Sequence, residues 1–411
     1  MKAGFEIIIP AGETGSDTPD VSIVMPCLNE IQSLPQCIGN ALEALVLLRT
    51  ELNLSGEIVI ADNGSTDGSQ ALAIELGARV VPIGKRGYGA ALTGGCHAAA
   101  GQYILMGDCD GSYNFTEGVS MIRELHAGRD LCMGNRFHGG IAPGAMPWKN
   151  RHIGNPALTG ILNMFFRTGM GDAHCGLRAI RKDAFERLKL SGSGMEFASE
   201  MVVKAALLKF DMVEVPATLS PDLRDRTPHL RPWRDGWRHL RYLFMLSPTW
   251  VFGVPGLAAM GVGLTILAVA ALHMLALLGP ILFGESWIVI GALLLVLGHM
   301  AGIMSVASHL HGVRSGYRLP KPWLVRLSSV ISLEACLIGG LSLIAVSLAA
   351  IVGVALHWGA GSFAALPSIL PVAVGGVVGT IGLQMLFAGF LFAIIAGNEA
   401  EFLLGGAEGA A

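Results

Sequence analysis

Two aspartates separated by one residue, Asp108 and Asp110, come just after the apolar run Ile104–Met106. A short apolar run of this kind predicts a buried strand, and the ligands of open α/β sheets bind at the carboxyl ends of strands. Where such a strand turns, both carboxylates can bind one Mg²⁺ or Mn²⁺ that is shared with the phosphates of a nucleotide. Aspartate is also an ordinary turn residue, so a strand end without a metal is the alternative interpretation.

Polar residues also follow the first two predicted strands. They are Asn29 and Glu30 after Val21–Pro26, and Asp62 after Glu57–Ala61. A glycine-rich turn further along carries Lys85 and Arg86, but it matches neither the Gly-x-Gly-x-x-Gly dinucleotide fingerprint nor a Walker sequence. These patterns predict a nucleotide site formed by acids, with Lys85 and Arg86 near the phosphates.

Strands and helical segments alternate along this part of the chain. The remaining predicted strands are Ala78–Ile83 and Asp130–Met133, and the predicted helices end near Leu48 or span Gln70–Leu76 and Ala90–Ala100. Such alternation predicts a doubly wound α/β sheet with a right-handed crossover at each step.

The composition divides the chain into two parts. Charged residues make up 14% of the 411 residues and the mean hydropathy is +0.56, which is too apolar for an ordinary soluble protein. Of the 28 lysines and arginines, all but four lie at or before Arg241, so we expect a water-facing part followed by a membrane part. The net charge of −3 predicts no nucleic-acid partner, and the N-terminal part has no clustered basic stripe with interleaved aromatic residues. Seven scattered cysteines favour a reducing cytosol over a disulfide framework or a zinc site.

Four apolar segments follow, and each is long enough to cross a hydrocarbon core, which requires about 20 helical residues. They are Pro248–Leu278, Trp287–Leu310, Val330–Leu356 and Ile369–Ala396. The connector His311–Leu327 carries all four late cations, whereas the other two connectors carry no lysine or arginine. By the positive-inside rule that connector is cytoplasmic, which predicts that the catalytic part and the C-terminus are cytoplasmic as well.

The segment before these spans carries two stripes at helical spacing. The apolar stripe is Trp233, Trp237, Leu240 and Phe244, and the basic stripe is Arg231, Arg234, Arg238 and Arg241. Tryptophan and arginine on adjoining faces predict a helix at the membrane interface, with its guanidinium groups on lipid phosphates. A soluble amphipathic helix packed on the catalytic part is the alternative.

The motifs, taken in order, resemble the successive signatures of family 2 glycosyltransferases of the GT-A fold. They are Val21-Ser22-Ile23-Val24-Met25-Pro26-x-x-Asn29-Glu30, Asp62-Asn63-Gly64-Ser65-Thr66-Asp67 and Asp108-x-Asp110, continued by Gly134-Asn135-Arg136, Asp172–Arg178 and Val215-Pro216. The resemblance covers roughly residues 20–245 and is closest to the polyprenyl-phosphate branch, which includes dolichyl-phosphate mannose and glucose synthases. It implies an α/β GT-A catalytic domain, and a C-terminal four-helix transmembrane region also fits that branch.

The resemblance implies roles for individual residues. Pro26, Asn29 and Glu30 would border the base and ribose of a UDP- or GDP-sugar, and Asp62 would contact the base. The diphosphate would be bound through a divalent metal held by Asp108 and Asp110. With Lys85 and Arg86, the predicted donor-binding set is therefore Pro26, Asn29, Glu30, Asp62, Lys85, Arg86 and Asp108. Two positions depart from the family pattern: Asn63 stands where an aspartate is usual, and Ser112 where a glutamine is often found.

Three arginines predict how an anionic acceptor is bound. Arg136 follows the strand Asp130–Met133, and Arg178 and Arg181 follow the loop that contains Asp172. The planar guanidinium group binds phosphate through two hydrogen bonds, and the resemblance implies that these arginines grip the phosphate of a polyprenyl acceptor. A solvated arginine, or a structural pair such as Asp172 with Arg178, is the alternative.

A phosphate acceptor requires no dedicated general base, because a phosphate monoester has a second pKa of about 6 and is already anionic at neutral pH. Catalysis is then expected from charge, with Asp108 and Asp110 acting through the metal and Arg136 and Arg178 aligning the acceptor. In-line attack would invert the anomeric carbon.

The resemblance also implies an acid near Glu196, which makes this residue a weaker candidate for a contact to the donor sugar. It lies four residues before Glu200 on the predicted helix Met195–Phe210, so both side chains share one face. A solvated helix face is the alternative for both.

We expect five parts: an arm (1–20), the GT-A domain (21–228), an interfacial helix (229–247), four transmembrane helices (248–396) and a tail (397–411). The predicted protein is a multi-pass enzyme of the inner (cytoplasmic) membrane that takes a nucleotide-sugar, polyprenyl phosphate and membrane lipid as partners. Formation of a homo-oligomer stays open. The alternatives are transfer to another lipid or glycan hydroxyl and a non-enzymatic scaffold or flippase partner. A processive polysaccharide synthase is disfavoured, because the chain has no Gln-x-x-Arg-Trp sequence.

Overall fold

A computed structural model of the chain describes residues 18–223, 232–275, 277, 284–328 and 332–402. Within these ranges the chain forms two compact units. The first comprises the described residues of Met1–Asn163, Thr168–Ala206 and Phe210–His239, and the second those of Met164–Arg167, Leu207–Lys209 and Leu240–Ala411. Most of the predicted N-terminal arm, Arg231 of the basic stripe and the end of the predicted tail lie outside the described residues.

One mixed sheet forms the centre of the first unit. Its strands are β1 (Val21–Cys27), β2 (Gly56–Asp62), β3 (Arg79–Pro82), β4 (Tyr103–Met106), β5 (Leu131–Asn135), β6 (Arg178–Arg181) and β7 (Met212–Pro216). They lie in the order β3-β2-β1-β4-β6-β5-β7. The central strands are buried on both faces by helices, which is why their sequences are continuous apolar runs. The sequence predicted such buried strands.

Helices connect and cover these strands. They are α1 (Leu34–Leu52), α2 (Ser69–Glu75), α3 (Tyr88–Ala98), α4 (Gly118–His126), α5 (Arg136–Gly139), α6 (Asn155–Phe166), α7 (Lys182–Leu188) and α8 (Phe197–Leu207). Helix α1 has a proline in its first turn and buries Leu34, Ile38, Ala41 and Leu48, which recur at helical spacing. It ends where Asn53 adopts a left-handed conformation.

Strand β6 runs antiparallel to both of its neighbours, which differs from the predicted crossover at each step. It pairs Met106 with Arg178 and Tyr103 with Arg181. The chain enters β6 from a loop at the carboxyl edge of the sheet, where Asp172 binds Arg136 just after β5. The next strand must therefore run back across the sheet, which leaves Arg178 beside the end of β4 and Arg181 at the opposite edge.

The second unit contains the apolar helices. After α9 (Pro232–Met245), which straddles both units, come a π-helical turn (Thr249–Gly253), α10 (Val254–Met274), α11 (Glu285–Arg314), α12 (Pro322–Ser328), α13 (Leu333–Ala360) and α14 (Leu370–Ile395). The four predicted spans are confirmed as helices long and apolar enough to cross a membrane. They pack closely at glycines: a Cβ atom on Gly340 would lie 2.7 Å from the carbonyl oxygen of Gly382.

Candidate active site

The site lies where the strand order changes direction. Strands β2 and β3 extend to one side of β1, and β4 pairs in parallel with its other side. The crevice at the carboxyl ends of β1 and β4 is therefore the topological switch point, where open α/β sheets bind ligands. Asp62 ends β2 opposite Cys27, and Asp108 and Asp110 follow β4, so the sheet brings the predicted acids to the same edge.

The loop after β1 is fastened to the loop after β2. Asn29 adopts a left-handed conformation, with φ of 58°, its backbone N–H donates to Ser65 Oγ (2.9 Å) and its side-chain oxygen accepts from Thr66 N (2.8 Å). Glu30 is buried, and its N–H donates to Ser69 Oγ (3.0 Å). The carbonyl of Pro26 accepts from Cys109 Sγ (2.8 Å). The predicted donor-binding residues thus join the ends of β1, β2 and β4.

Asp62 organises its own turn. The residue is 1% exposed, and its carboxylate accepts hydrogen bonds from Gly64 N (3.0 Å), Ser65 N (3.2 Å) and Gln70 Nε2 (2.6 Å). These bonds hold the turn at the site edge. Contact between Asp62 and a base stays a prediction.

Asn63 explains one departure from the family pattern. Its amide nitrogen donates to the carbonyls of Ile83 (3.1 Å) and Lys85 (2.8 Å), and its oxygen accepts from Gly87 N (2.7 Å). An aspartate has no donor for two carbonyl groups, so only the amide satisfies this arrangement. The bonds fix the loop that carries Lys85 and Arg86, whose side chains are exposed.

Asp108 is held by a tyrosine that the sequence reasoning missed. Tyr88 Oη donates to Asp108 Oδ1 at 2.8 Å. Burial, and next the charge of Asp108, raise the pKa of Tyr88 well above its usual value, so the phenol stays a donor. The backbone of Gly176 also approaches closely, since a Cβ atom there would lie 2.7 Å from Asp108 Oδ2.

Asp110 is oriented by Ser112, the second residue that departs from the family pattern. Asp110 is 9% exposed. Its Oδ1 accepts hydrogen bonds from Ser112 N (3.0 Å) and Ser112 Oγ (2.6 Å). No cluster of three or more acids, histidines or cysteines suited to a metal occurs in the described part of the chain. Two carboxylates nevertheless fit Mg²⁺ or Mn²⁺, because these ions accept water and substrate phosphates as their remaining oxygen ligands.

Arg136 has an internal carboxylate partner. The residue is 7% exposed, and its Nε and Nη2 donate to the two oxygens of Asp172 at 2.6 and 2.8 Å. The structural pair considered as an alternative for Asp172 therefore forms with Arg136 instead of Arg178. Tyr113 Oη lies 3.5 Å from Arg136 Nη1 and accepts from Gly176 N (2.9 Å), which links this pair to the residue beside Asp108.

The other two arginines lie at opposite edges of the sheet. Arg178 is 2% exposed and donates to the carbonyls of Ala198 and Cys175. Arg181 pairs with Asp183 (2.6 Å) and lies 3.7 Å from Asp130 at the amino edge of β4. Because β6 runs antiparallel to β4, the structure does not bring Arg181 to the edge where Arg178 lies. Binding of the acceptor by Arg178 and Arg181 stays a prediction.

Glu196 lies in the turn before α8, so the predicted helix begins later than expected, and the face that carries Glu200 is not a solvated one. Glu200 is fully buried, forms an ion pair with Lys204 (2.7 Å) and accepts from Ser191 N and Gly192 N. This holds the segment 191–194 against the start of α3, where a side chain on Gly87 would overlap the carbonyl of Ser193. Glu196 Oε1 accepts from Gly194 N at 2.9 Å. Its contact to a sugar stays a prediction.

Sequence reasoning missed Tyr88, Tyr113 and Lys204. The two tyrosines act through partners 20 and 63 positions away along the chain, and Lys204 pairs with Glu200 one helical turn before it. Asn63, by contrast, carried a signal, as a departure from the expected aspartate.

Comparison with known proteins agrees with this geometry. Residues 22–189 match the family profile of glycosyl transferase family 2, and residues 306–396 match that of the glycosyltransferase family 2 C-terminal transmembrane region. A relative from Haloferax volcanii, the low-salt glycan biosynthesis hexosyltransferase Agl6, is 35% identical over 95% of this chain and 92% of its own length. The polyprenol monophosphomannose synthase of Mycolicibacterium smegmatis is 30% identical over 51% of this chain and 82% of its own.

Among solved structures, glucosyl-3-phosphoglycerate synthase from Mycobacterium tuberculosis aligns with a TM-score of 0.42 at 17% identity, over 56% of this chain and 80% of that one. The chain belongs to glycosyltransferase family 2, and the sequence-based family prediction is confirmed. It is a membrane glycosyltransferase with a GT-A catalytic unit.

Proposed function

We propose that this member of glycosyltransferase family 2 transfers a hexose from a UDP- or GDP-sugar to a polyprenyl phosphate at the cytoplasmic leaflet. The observation that carries the proposal is the position of Asp108 and Asp110 after β4, at the topological switch point. Two similarities support the substrates: one relative is named a hexosyltransferase, and another a polyprenol monophosphomannose synthase.

In this proposal a phosphate oxygen of the acceptor attacks the anomeric carbon while the bond from that carbon to the diphosphate oxygen breaks. The electron pair leaves with the nucleoside diphosphate, and the configuration inverts. Asp108 and Asp110 would hold a divalent cation, which when bound neutralises the departing diphosphate. Tyr88 and Ser112 keep these carboxylates in place through the hydrogen bonds described above.

The donor-side residues are proposed to act together. Pro26, Asn29, Glu30 and Asp62 would line the base and ribose, and exposed Lys85 and Arg86 would meet the phosphates. Contacts of Arg136 and Arg178 with the acceptor phosphate remain proposals. Both guanidinium groups already donate to protein acceptors, so such contacts require that some of these bonds be exchanged.

The test is an assay of the purified full chain with polyprenyl phosphate, a panel of UDP- and GDP-sugars, and Mn²⁺ or Mg²⁺. We expect sugar on polyprenyl phosphate, and a loss of about 100-fold or more in Asp110→Asn, equivalent to about 2.7 kcal/mol of transition-state stabilisation. Asp183→Asn is the matched control, since Asp183 is exposed at the amino edge of the sheet. Transfer only to a lipid hydroxyl would overturn the acceptor, and full activity of Asp110→Asn would overturn the metal site.

A further inference from the structure

A cationic cluster in the second unit has no role in the proposed reaction. It consists of Arg318 and Lys321 in the connector after α11, together with His309 of α11 and Thr249, which opens the first span. Because α10 and α11 are consecutive spans, the start of the first and the end of the second lie on the same side of the membrane. The cluster therefore lies where the apolar helices meet water.

Arg318 is buried, and no acid among the described residues forms an ion pair with it. The residue is 7% exposed, its Nη2 donates to the carbonyl of Leu246, and its Nη1 lies 3.3 Å from His309 Nδ1. No acceptor among the described residues reaches its buried Nε. A buried guanidinium group without a counter-ion is costly, and burial lowers the pKa of Arg318 from its usual value.

Lys321 adds a second cation, whose ammonium group has one hydrogen-bond acceptor among the described residues. Its ammonium group donates to Thr249 Oγ1 at 2.7 Å, which uses one of its three N–H bonds. Desolvation, and then the positive charge of Arg318, lower its pKa, so the two cations are close enough to repel each other. Neither residue belongs to any ion pair in the part of the chain that the structure describes.

His309 cannot relieve this excess of donors. Arg318 Nη1 faces its Nδ1, and the backbone N–H of Lys321 faces its Nε2, both at 3.3 Å. A neutral imidazole ring has one acceptor nitrogen and one N–H group, so at most one of these donors is satisfied. The cluster thus presents several oriented donors and two positive charges, and it requires an anion with several oxygen acceptors.

We propose that Arg318 and Lys321 bind the phosphate group of a membrane lipid. Phosphate matches the site because its oxygens accept from a guanidinium and an ammonium group at once, and because a lipid phosphate lies at the depth where spans end. Polyprenyl phosphate and an anionic phospholipid present the same group. The inference therefore does not depend on the proposed acceptor.

The experiment is a lipid titration of the purified full chain in neutral detergent, read as the bound fraction by native mass spectrometry. The probes are polyprenyl phosphate, phosphatidylglycerol and, as a phosphate-free control, polyprenol. We expect Arg318→Gln/Lys321→Gln to weaken binding of a phosphate lipid about 10-fold or more, as for lost charge-assisted hydrogen bonds. Arg314→Gln removes an exposed cation from the end of α11 and should change binding less than about 2-fold.

Weaker binding of polyprenyl phosphate alone would identify the acceptor as the occupant, and weaker binding of phosphatidylglycerol alone would identify a structural lipid. Unchanged binding of both lipids in the double variant, or a loss equal to that of Arg314→Gln, would overturn the site. Because the double variant removes a buried residue, its thermal midpoint is measured in parallel. If the double variant does not fold, the single variant Lys321→Gln decides the question, because Lys321 is only half-buried. Its lipid binding is compared with that of Arg314→Gln in the same way. If the wild-type chain transfers no sugar and the lipid titrations still give the expected result, that outcome counts against the proposed reaction only.

Discussion

Arg136 in the catalytic unit and Arg318 in the membrane unit are buried to the same extent, each 7% exposed, yet their charges are treated in opposite ways. Arg136 forms two hydrogen bonds with Asp172, which is itself fully buried. Arg318 donates to a backbone carbonyl and faces a histidine, and one buried N–H has no acceptor among the described residues. Removing one member of a buried ion pair leaves the other charge unpaired, which is strongly destabilising, whereas removing Arg318 leaves no described acid without its partner.

Replacing each arginine with methionine is the strongest test of this comparison. Arg136→Met leaves Asp172 buried without its cation, which should lower the free energy of unfolding by about 3–5 kcal/mol. Arg318→Met in phosphate-free detergent should cost about 1 kcal/mol, because only neutral partners lose a donor. Denaturant titrations of the full chain measure both. Equal losses would show that the two arginines do not differ as described.

Asn63→Asp would place an uncompensated charge in the catalytic unit. The carboxylate would face the carbonyls of Ile83 and Lys85, which now accept from the amide nitrogen. We expect a loss of about 2–3 kcal/mol in the free energy of unfolding, from two unmade bonds near a buried charge. Asn53→Asp, at an exposed position that ends α1, is the control and should stay within about 0.5 kcal/mol. An Asn63→Asp protein as stable as the wild type would contradict our explanation of why asparagine stands where the family usually has aspartate.

Tyr88→Phe tests whether the acids of the catalytic unit depend on internal donors. The variant loses the hydroxyl that donates to Asp108 while keeping the ring packed near Phe197. We expect the Mn²⁺ concentration for half-maximal activity to rise about 10-fold, as for other residues that orient metal ligands. Tyr103→Phe, whose hydroxyl lies near His126 at the far end of β4, should leave it unchanged. An identical Mn²⁺ dependence in both variants would contradict the role given to Tyr88.

The smallest effect concerns pH. Burial first, and then the charges of His239, Arg136 and Arg178, lower the pKa of His174 well below its usual value. The unfolded chain takes up a proton near pH 6.5 but the folded chain does not, so stability is lost as pH falls below that value. Between pH 6.5 and 5.5 the loss should be about 1 kcal/mol. His174→Gln should flatten this dependence, and an unchanged slope would exclude His174 as its source.

The sequence itself placed the acids correctly because the signal is local. Apolar runs end in Asn29, Asp62 and Asp108, and parallel strands bring such ends to one edge of a sheet. Hydropathy likewise predicted four spans within a few residues of their observed limits, since crossing a membrane demands length and apolarity alone.

Only the tertiary structure decided the direction of β6 and the ion-pair partners of the buried charged residues. The sequence pattern did not reveal that β6 runs backwards, and this alone separates Arg178 from Arg181. It did not pair Asp172 with Arg136, because these residues lie 36 positions apart along the chain. It did not show that Glu200 is buried, because the burial of a helix face depends on what packs against it. The sequence showed that four cations share one connector, whereas only the folded chain shows that Arg318 is buried and Lys321 half-buried. Neither forms an ion pair with an acid among the described residues.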